Sequence, residues 1–370
     1  MNLLVEQLRG CPSGSARPIL RPRSPPRAGA TPTAMIQRSR SPLPIRLVGS
    51  ASFVPDRRVT NEELERELRL DSGWIARATG IRERRRGTTE TTLSMAAAAS
   101  ARALESARLG VNDVDLIVGA ATAPHQAVPC TAALVQRALE GRDGASACFD
   151  VNSTCLSFLN ALQVASHLVA HGAHERALVF ASEVTRHSID PTEPESAVLL
   201  GDGAAAVVIE RAGADSDSRV LAARFSTHSS GCELTVCRGG GTSHHPNDPA
   251  TTHAMNLFRM NGPGIYRMAS RLLEPFLDDV LASAGWTRAD VDRVVPHQAS
   301  GRGVDLLTRL CGFDAARVVR NVETRGNCAA ASLPIALAEA IDAGTIRRGD
   351  RLLLIGTGAG LTLGAIALKY

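Results

Sequence analysis

The rhythm of apolar and polar positions changes at residue 45. Residues 1–44 sustain neither a helical nor a strand period, and 8 of the 19 prolines fall there. That stretch is expected to be a disordered Arg/Pro-rich N-terminal extension. From Ile45 the pattern becomes regular. Ile45–Gly49 suits a strand, and the segment after Thr60, with Glu62, Glu63, Glu65 and Glu67, suits a capped helix. Ala96–Leu109 predicts a long Ala-rich helix, and Asp115–Ala121 (DLIVGAA) a short buried strand. A strand over Ala147–Val151, a helix from Cys155 to Ala170 and a strand over Ala177–Ser182 follow. A turn at Gly201-Asp-Gly then precedes a strand over Ala204–Ile209. Strands alternating with helices predict an α/β fold with largely parallel, buried strands.

The same order returns in the second half. A helix over Leu272–Ala284 precedes Asp290-Val-Asp-Arg-Val-Val, as Ala101–Leu109 precedes Asp113-Val-Asp-Leu-Ile-Val, 177 residues earlier. A strand over Val318–Val322 and a helix after Asn327 match Cys148–Val151 and the helix after Cys155. Arg351–Thr357 (RLLLIGT) matches Arg176–Ser182 (RALVFAS), 175 residues earlier. Two near-equal offsets in one order predict a duplicated βαβ-type unit. The halves are placed at 45–215 and 216–370, joined near 212–220, with helices between and outside two sheets.

Composition narrows the function classes. Across 370 residues the net charge is +4, but residues 1–45 carry seven arginines against Glu6 alone, leaving the remainder at −2. A near-neutral body with a basic leader gives no case for nucleic-acid binding. No apolar run approaches the roughly 18 residues a membrane span needs. The leader lacks the apolar core of a secretory signal, and its prolines oppose a transit helix; Met35 is the expected true start. Eight cysteines without metal spacing predict free thiols, no metal site and a cytoplasmic location.

Three residues carry candidate chemistry. Cys155, in Asp150-Val-Asn-Ser-Thr-Cys, follows a strand and a short polar turn and opens a helix, where dipole and free N–H groups favour a thiolate nucleophile. The alternative is a buried structural cysteine. His297, in Val-Val-Pro-His-Gln-Ala, sits at the carboxyl edge of a strand, where α/β sheets place their sites; it could also be a surface histidine. Asn327, in Gly-Asn-Cys-Ala-Ala-Ala-Ser, falls beside the position Cys155 takes in the first half, or is an N-cap only. Gly356-Thr-Gly-Ala-Gly-Leu lacks the spacing of a phosphate cradle and is read as a source of backbone N–H for an oxyanion. Arg302 and Arg309 lie seven apart in a helical stretch and so share a face, suited to an acidic carrier protein or simply to solvent.

From Ile45 to Tyr370 the chain closely resembles the β-ketoacyl-acyl carrier protein synthase III family of thiolase-fold condensing enzymes. The resemblance rests on Trp74 through Arg84 (WIARATGIRER), DVNSTC, Gly201-Asp-Gly-Ala, VPHQA, GNCAAAS and the closing GAGLTLG. It implies a thiolase-like fold with a layered α-β-α-β-α core, a homodimer, and a Cys155, His297, Asn327 triad with no cofactor. It also implies acyl thioester substrates, on coenzyme A or a carrier, and acyl carrier protein as partner. Cys155 would take an acyl group, and His297 and Asn327 would hold the oxygen of a malonyl thioester while it loses carbon dioxide. The enolate would then attack the Cys155 thioester, with the oxyanion held by the N–H groups of Cys155 and Ala359. That chemistry needs no separate carboxylate base, and no buried Asp or Glu is expected near these motifs.

Several positions depart from the family pattern. Trp74, which would stack on adenine, is kept, but the arginine four places on is Ala78, with Arg77 one place early. A second family arginine falls on His187, beside Arg186, and Ser300 replaces an asparagine ahead of Arg302. The Gly-rich loop reads Gly358-Ala-Gly-Leu, and the residue that closes the acyl tunnel across the dimer is Val128. These departures imply a larger acyl pocket or a carrier-bound donor, in fatty acid or polyketide-type biosynthesis. Two other functions fit the same residues. One is a thiolase-fold acyltransferase forming an ester or amide without condensation; the other is a non-catalytic partner subunit.

Overall fold

Fully apolar runs form strands buried on both faces. All five residues of Leu116–Ala120 are buried, as are all but the first of Arg176–Glu183. They belong to a five-stranded sheet in the order Ile45–Phe53, Gly203–Arg211, Arg176–Glu183, Leu116–Ala120, Ala147–Val151. The second sheet orders Arg293–Pro296, Arg351–Gly358, Gly360–Lys369 and Arg219–Gly231. This is a computed structural model, and it describes residues 41–370. The expected extension over 1–44 lies outside the described residues up to residue 40. Leu43, by contrast, exchanges two backbone hydrogen bonds with Val220, at 2.9 and 3.0 Å, and is 9% exposed. Order therefore begins before Ile45.

The strands alternate their side chains between layers, as a period of two requires. Leu116, Val118 and Ala120 face a central cluster shared with Phe158, Leu159, Leu162, Leu333 and Leu337. Leu352, Leu354, Ile366 and Leu368 of the second sheet enter the same cluster. Ile117, Leu178 and Phe180 face outward onto Met95, Ala99 and Ala103 of helix Thr92–Ala107. Val294, Leu353 and Ile355 face outward onto Leu273, Leu277 and Val280 of helix Gly262–Ala284. The result is an α-β-α-β-α sandwich with helices Ser157–Ala170 and Ser332–Asp342 in the middle layer. Each fully buried Leu or Phe there contributes roughly 1.5–3 kcal/mol of transfer free energy.

Three expectations are corrected. The strands are mixed rather than largely parallel. Leu116–Ala120 pairs parallel with both neighbours, but Gly203–Arg211 and Gly360–Lys369 run antiparallel to theirs; Gly360–Lys369 follows the preceding strand after one residue, a connection only an antiparallel pair allows. Val318–Val322 is not a strand. Its pairing shrinks to a single bridge between Val294 and Val318, and Val322–Arg325 is a helical turn. The Gly-rich segment read as a loop instead turns directly into the ten-residue strand Gly360–Lys369.

Candidate active site

Cys155 and Asn327 lie on two copies of one turn. Asn152 Oδ1 accepts from Thr154 N at 3.0 Å, a 3₁₀ turn spans Thr154–Leu156, and a helix starts at Ser157. Asn327 Oδ1 accepts from Ala329 N at 2.9 Å, a 3₁₀ turn spans Ala329–Ala331, and a helix starts at Ser332. Residues 152, 154 and 157 thus recur at 327, 329 and 332, each 175 further on. Thr154 and Ala329 both hold positive φ, 51° and 45°. The mate of Cys155 is therefore Ala330, and Asn327 stands three residues before it. The two turns pack against each other, and the Cys155 turn also packs on strand Arg351–Gly358.

His297 joins them from the carboxyl end of strand Arg293–Pro296. Its N–H donates to Ile355 O at 2.8 Å, and Gln298 pins the following chain by donating to Pro296 O and Val319 O. Gly356 makes the approach possible: a Cβ there would lie 2.7 Å from His297 Cβ and 3.2 Å from Leu156 Cδ2. One glycine thus separates the histidine from the Cys155 turn. Asn327 is fixed on both sides, donating its N–H to Leu199 O and accepting Gly201 N–H. Its Oδ1 accepts from Ala329 N and from Ser332 Oγ at 3.3 Å, which leaves the amide N–H groups without a hydrogen-bond acceptor among the described residues.

The electrostatics differ from the expected thiolate. Cys155 is part-exposed, yet surrounding protein desolvates the sulfur. Burial pushes the thiol up to about 12, and the nearby Glu183 carboxylate pushes the same way. The α-helix itself begins two residues later, at Ser157. Burial lowers His297 to about 4, so the ring is neutral at working pH, and its buried Nδ1 has no hydrogen-bond partner among the described residues. The His297 ring and the Asn327 amide are both uncharged and able to donate, the form that can hold an enolate oxygen.

A buried carboxylate also stands beside the site, where none was expected. Glu183, 3% exposed, ends strand Arg176–Glu183 and accepts from Thr122 N at 2.5 Å and from Ala330 N at 3.3 Å. Burial raises it to about 7 against those N–H groups, which lower it. The signal was present in the sequence: one acid directly after a wholly apolar strand, the position that singled out His297. Ala359 is a further difference. Its N–H, expected to face an oxyanion, donates to Thr154 Oγ1 at 3.0 Å.

The expected carrier and coenzyme residues occupy separate places. Trp74 opens helix Trp74–Thr79, whose start is held by Glu65 accepting from Gly73 N and Ile75 N, both at 2.9 Å. Helix Gly301–Leu310 meets it where Gly80 faces Gly301, and Arg302 donates to Arg77 O at 2.5 Å. Trp74 and Arg77 therefore lie beside Arg302, which follows His297 in the chain. Arg309 lies farther along and donates to Tyr266 Oη at 3.3 Å. Arg186 is drawn toward Asp202 at 3.9 Å, while His187 is exposed. Val128, 80% exposed, is not packed into the Cys155 site within this chain.

The chain is similar to known proteins. The family description "3-Oxoacyl-[acyl-carrier-protein (ACP)] synthase III" matches residues 149–229, and its C-terminal counterpart matches residues 281–370. The β-ketoacyl-[acyl-carrier-protein] synthase III of Rhizorhabdus wittichii is 38% identical over 325 residues, covering 88% of this chain and 98% of that protein. The chain belongs to the β-ketoacyl-acyl carrier protein synthase III family. The synthase III of Neisseria gonorrhoeae is 34% identical over 330 residues, covering 88% and 99%. Among solved structures, 3-oxoacyl-[acyl-carrier-protein] synthase III from Aquifex aeolicus superposes with TM-score 0.80 at 34% identity, covering 88% of this chain and 100% of that one. A priming β-ketosynthase of a polyketide biosynthetic pathway superposes with TM-score 0.81 at 29% identity, covering 89% and 97%. Among the described residues no group of three or more His, Cys, Asp or Glu could hold a metal ion, and no helix is long and apolar enough to cross a membrane.

Proposed function

We propose that this synthase III family member makes a carbon–carbon bond between two acyl thioesters, with Cys155, His297 and Asn327 as its catalytic residues. The Cys155 sulfur attacks the donor thioester carbon; a new C–S bond forms, the old one breaks, and the donor thiol leaves with the proton. A malonyl thioester, carried by acyl carrier protein, then loses carbon dioxide. The electron pair of the broken C–C bond becomes an enolate whose oxygen accepts from the His297 ring and the Asn327 amide. The enolate carbon attacks the Cys155 thioester, and the sulfur leaves as the β-ketoacyl product forms.

This reading is supported by the packing of the Cys155 turn against the turn that follows Asn327 and by the single glycine between His297 and the Cys155 turn, with the histidine neutral through burial and the asparagine through its amide. A charged histidine would serve a general acid better than an enolate clamp. Arg302 and the neighbouring Arg77 supply positive charge suited to an acidic carrier, with Arg309 extending it. The edge strand Ala147–Val151 is part-exposed, with its outer edge unpaired among the described residues, and a second copy of this chain would cover it. That homodimer would also enclose Val128.

The test is the mass of the intact protein after incubation with a panel of acyl thioesters on coenzyme A and on carrier. Wild type gains one acyl group, and Cys155→Ala gains none. Full acylation of the alanine variant contradicts the assignment of the nucleophile.

A further inference from the structure

We propose that the Thr154 hydroxyl is itself a donor to the oxyanion formed on Cys155, standing between that oxygen and the Ala359 N–H. This rests on the acyl-transfer reading above and adds a residue to its machinery. Ala359 has one amide proton, and it already points to Thr154 Oγ1 at 3.0 Å. While that bond stands, the amide is not available to a substrate oxygen. Thr154 Oγ1 is the acceptor, and no hydrogen bond among the described residues uses its own proton. A hydroxyl that accepts one hydrogen bond becomes a better donor in the next.

The hydroxyl is held in place from several sides. The Thr154 N–H donates to Asn152 Oδ1 at 3.0 Å, and its carbonyl accepts from Ser157 Oγ at 2.6 Å. Its φ of 51° is unusual for a β-branched residue and persists because the turn imposes it. Gly358 leaves the room: a Cβ there would lie 2.9 Å from Thr154 Oγ1.

In the mate turn the corresponding N–H donates to a carboxyl oxygen. Ala330, the counterpart of Cys155, donates its N–H to the Glu183 carboxylate at 3.3 Å. Ala329, the counterpart of Thr154, carries no hydroxyl. In the catalytic copy the oxyanion accepts from the Cys155 N–H and from the Thr154 O–H, which the Ala359 N–H polarises from behind. No proton changes owner; the three groups only donate hydrogen bonds.

The experiment compares wild type, Thr154→Val and Thr154→Ser in two reactions of Cys155. One is acylation by a thioester, which passes through an oxyanion; the other is alkylation by iodoacetamide, which does not. Both are followed by mass at the Cys155 peptide. Thr154→Val should acylate about 10²-fold more slowly, the low end for loss of one oxyanion donor because the freed Ala359 N–H partly replaces it. Its alkylation rate should stay within about twofold of wild type. Thr154→Ser, which keeps the hydroxyl, should acylate close to wild type. Acylation of Thr154→Val at the wild-type rate or faster overturns the proposal, because the hydroxyl would then only mask Ala359. Equal loss in both reactions also overturns it, because Thr154 would then only shape the turn. If wild type alkylates but takes no acyl group from any thioester, the acyl-transfer reading fails first and this one with it.

Discussion

Glu183→Gln should stabilise the protein above neutral pH. The carboxyl rises from its ordinary 4.5 to about 7 in the fold. The folded state therefore holds this proton to a higher pH than the unfolded chain does. Its contribution to stability falls as pH climbs from about 4.5 through about 7 and stays low beyond, a difference of about 3 kcal/mol. Glutamine keeps the oxygen that accepts from Thr122 N and Ala330 N but never ionises. Those two bonds are stronger to a carboxylate, which reduces the expected gain to about 1–3 kcal/mol at pH 8. Below pH 4.5 the glutamic acid is neutral in both states, and the gap should close. The assay is urea unfolding of both proteins at pH 4.5, 6 and 8 at one protein concentration. His297, lowered to about 4, makes stability rise with pH between about 4 and 6.5, but it does so in both proteins and cancels. A variant less stable than wild type at pH 8, or a gap that does not change with pH, refutes the reasoning.

Other outcomes follow from the same geometry. Because burial pushes the Cys155 thiol up to about 12, iodoacetamide alkylation of its peptide should climb about tenfold per pH unit from 7 to 9.5; a plateau in that range would mean a thiol activated by the helix start. Gly356→Ala would set a Cβ 2.7 Å from that of His297 and should cut malonyl decarboxylation at least about tenfold, whereas unchanged release means His297 is not held by that glycine. Reversing the charge at Arg302 and Arg309 should raise KM for a carrier-bound substrate and weaken its salt dependence. Unchanged kinetics at low salt would leave those arginines a solvated helix face.

Much of the site was legible because it sits where strands end. His297 directly follows an apolar strand, Cys155 and Asn327 lie in the turns that lead into helices Ser157–Ala170 and Ser332–Asp342, and the internal repeat put those two turns on mated elements. Glu183 followed the same rule and was missed because the chemistry did not call for a base. The ionisation of Cys155 was not legible. It depends on how much protein surrounds the sulfur and on a carboxylate 28 positions away in sequence, neither of which a helix-start pattern encodes. The bond from Ala359 to Thr154 joins residues 205 apart and leaves no local trace. Val318–Val322 misled for a related reason. Its apolar pattern matches a strand, but the second half needs only one bridge there.

In the proposed mechanism His297 and Asn327 hold an enolate rather than assist acyl transfer alone. Labelled carbon dioxide release from malonyl thioester, measured beside the acylation mass shift on the same preparations, tests it most directly. His297→Ala and Asn327→Ala should still accept acyl groups, while each loses at least about 10² in decarboxylation. A wild type that acylates well yet releases no carbon dioxide from malonyl thioester on any carrier would contradict the account.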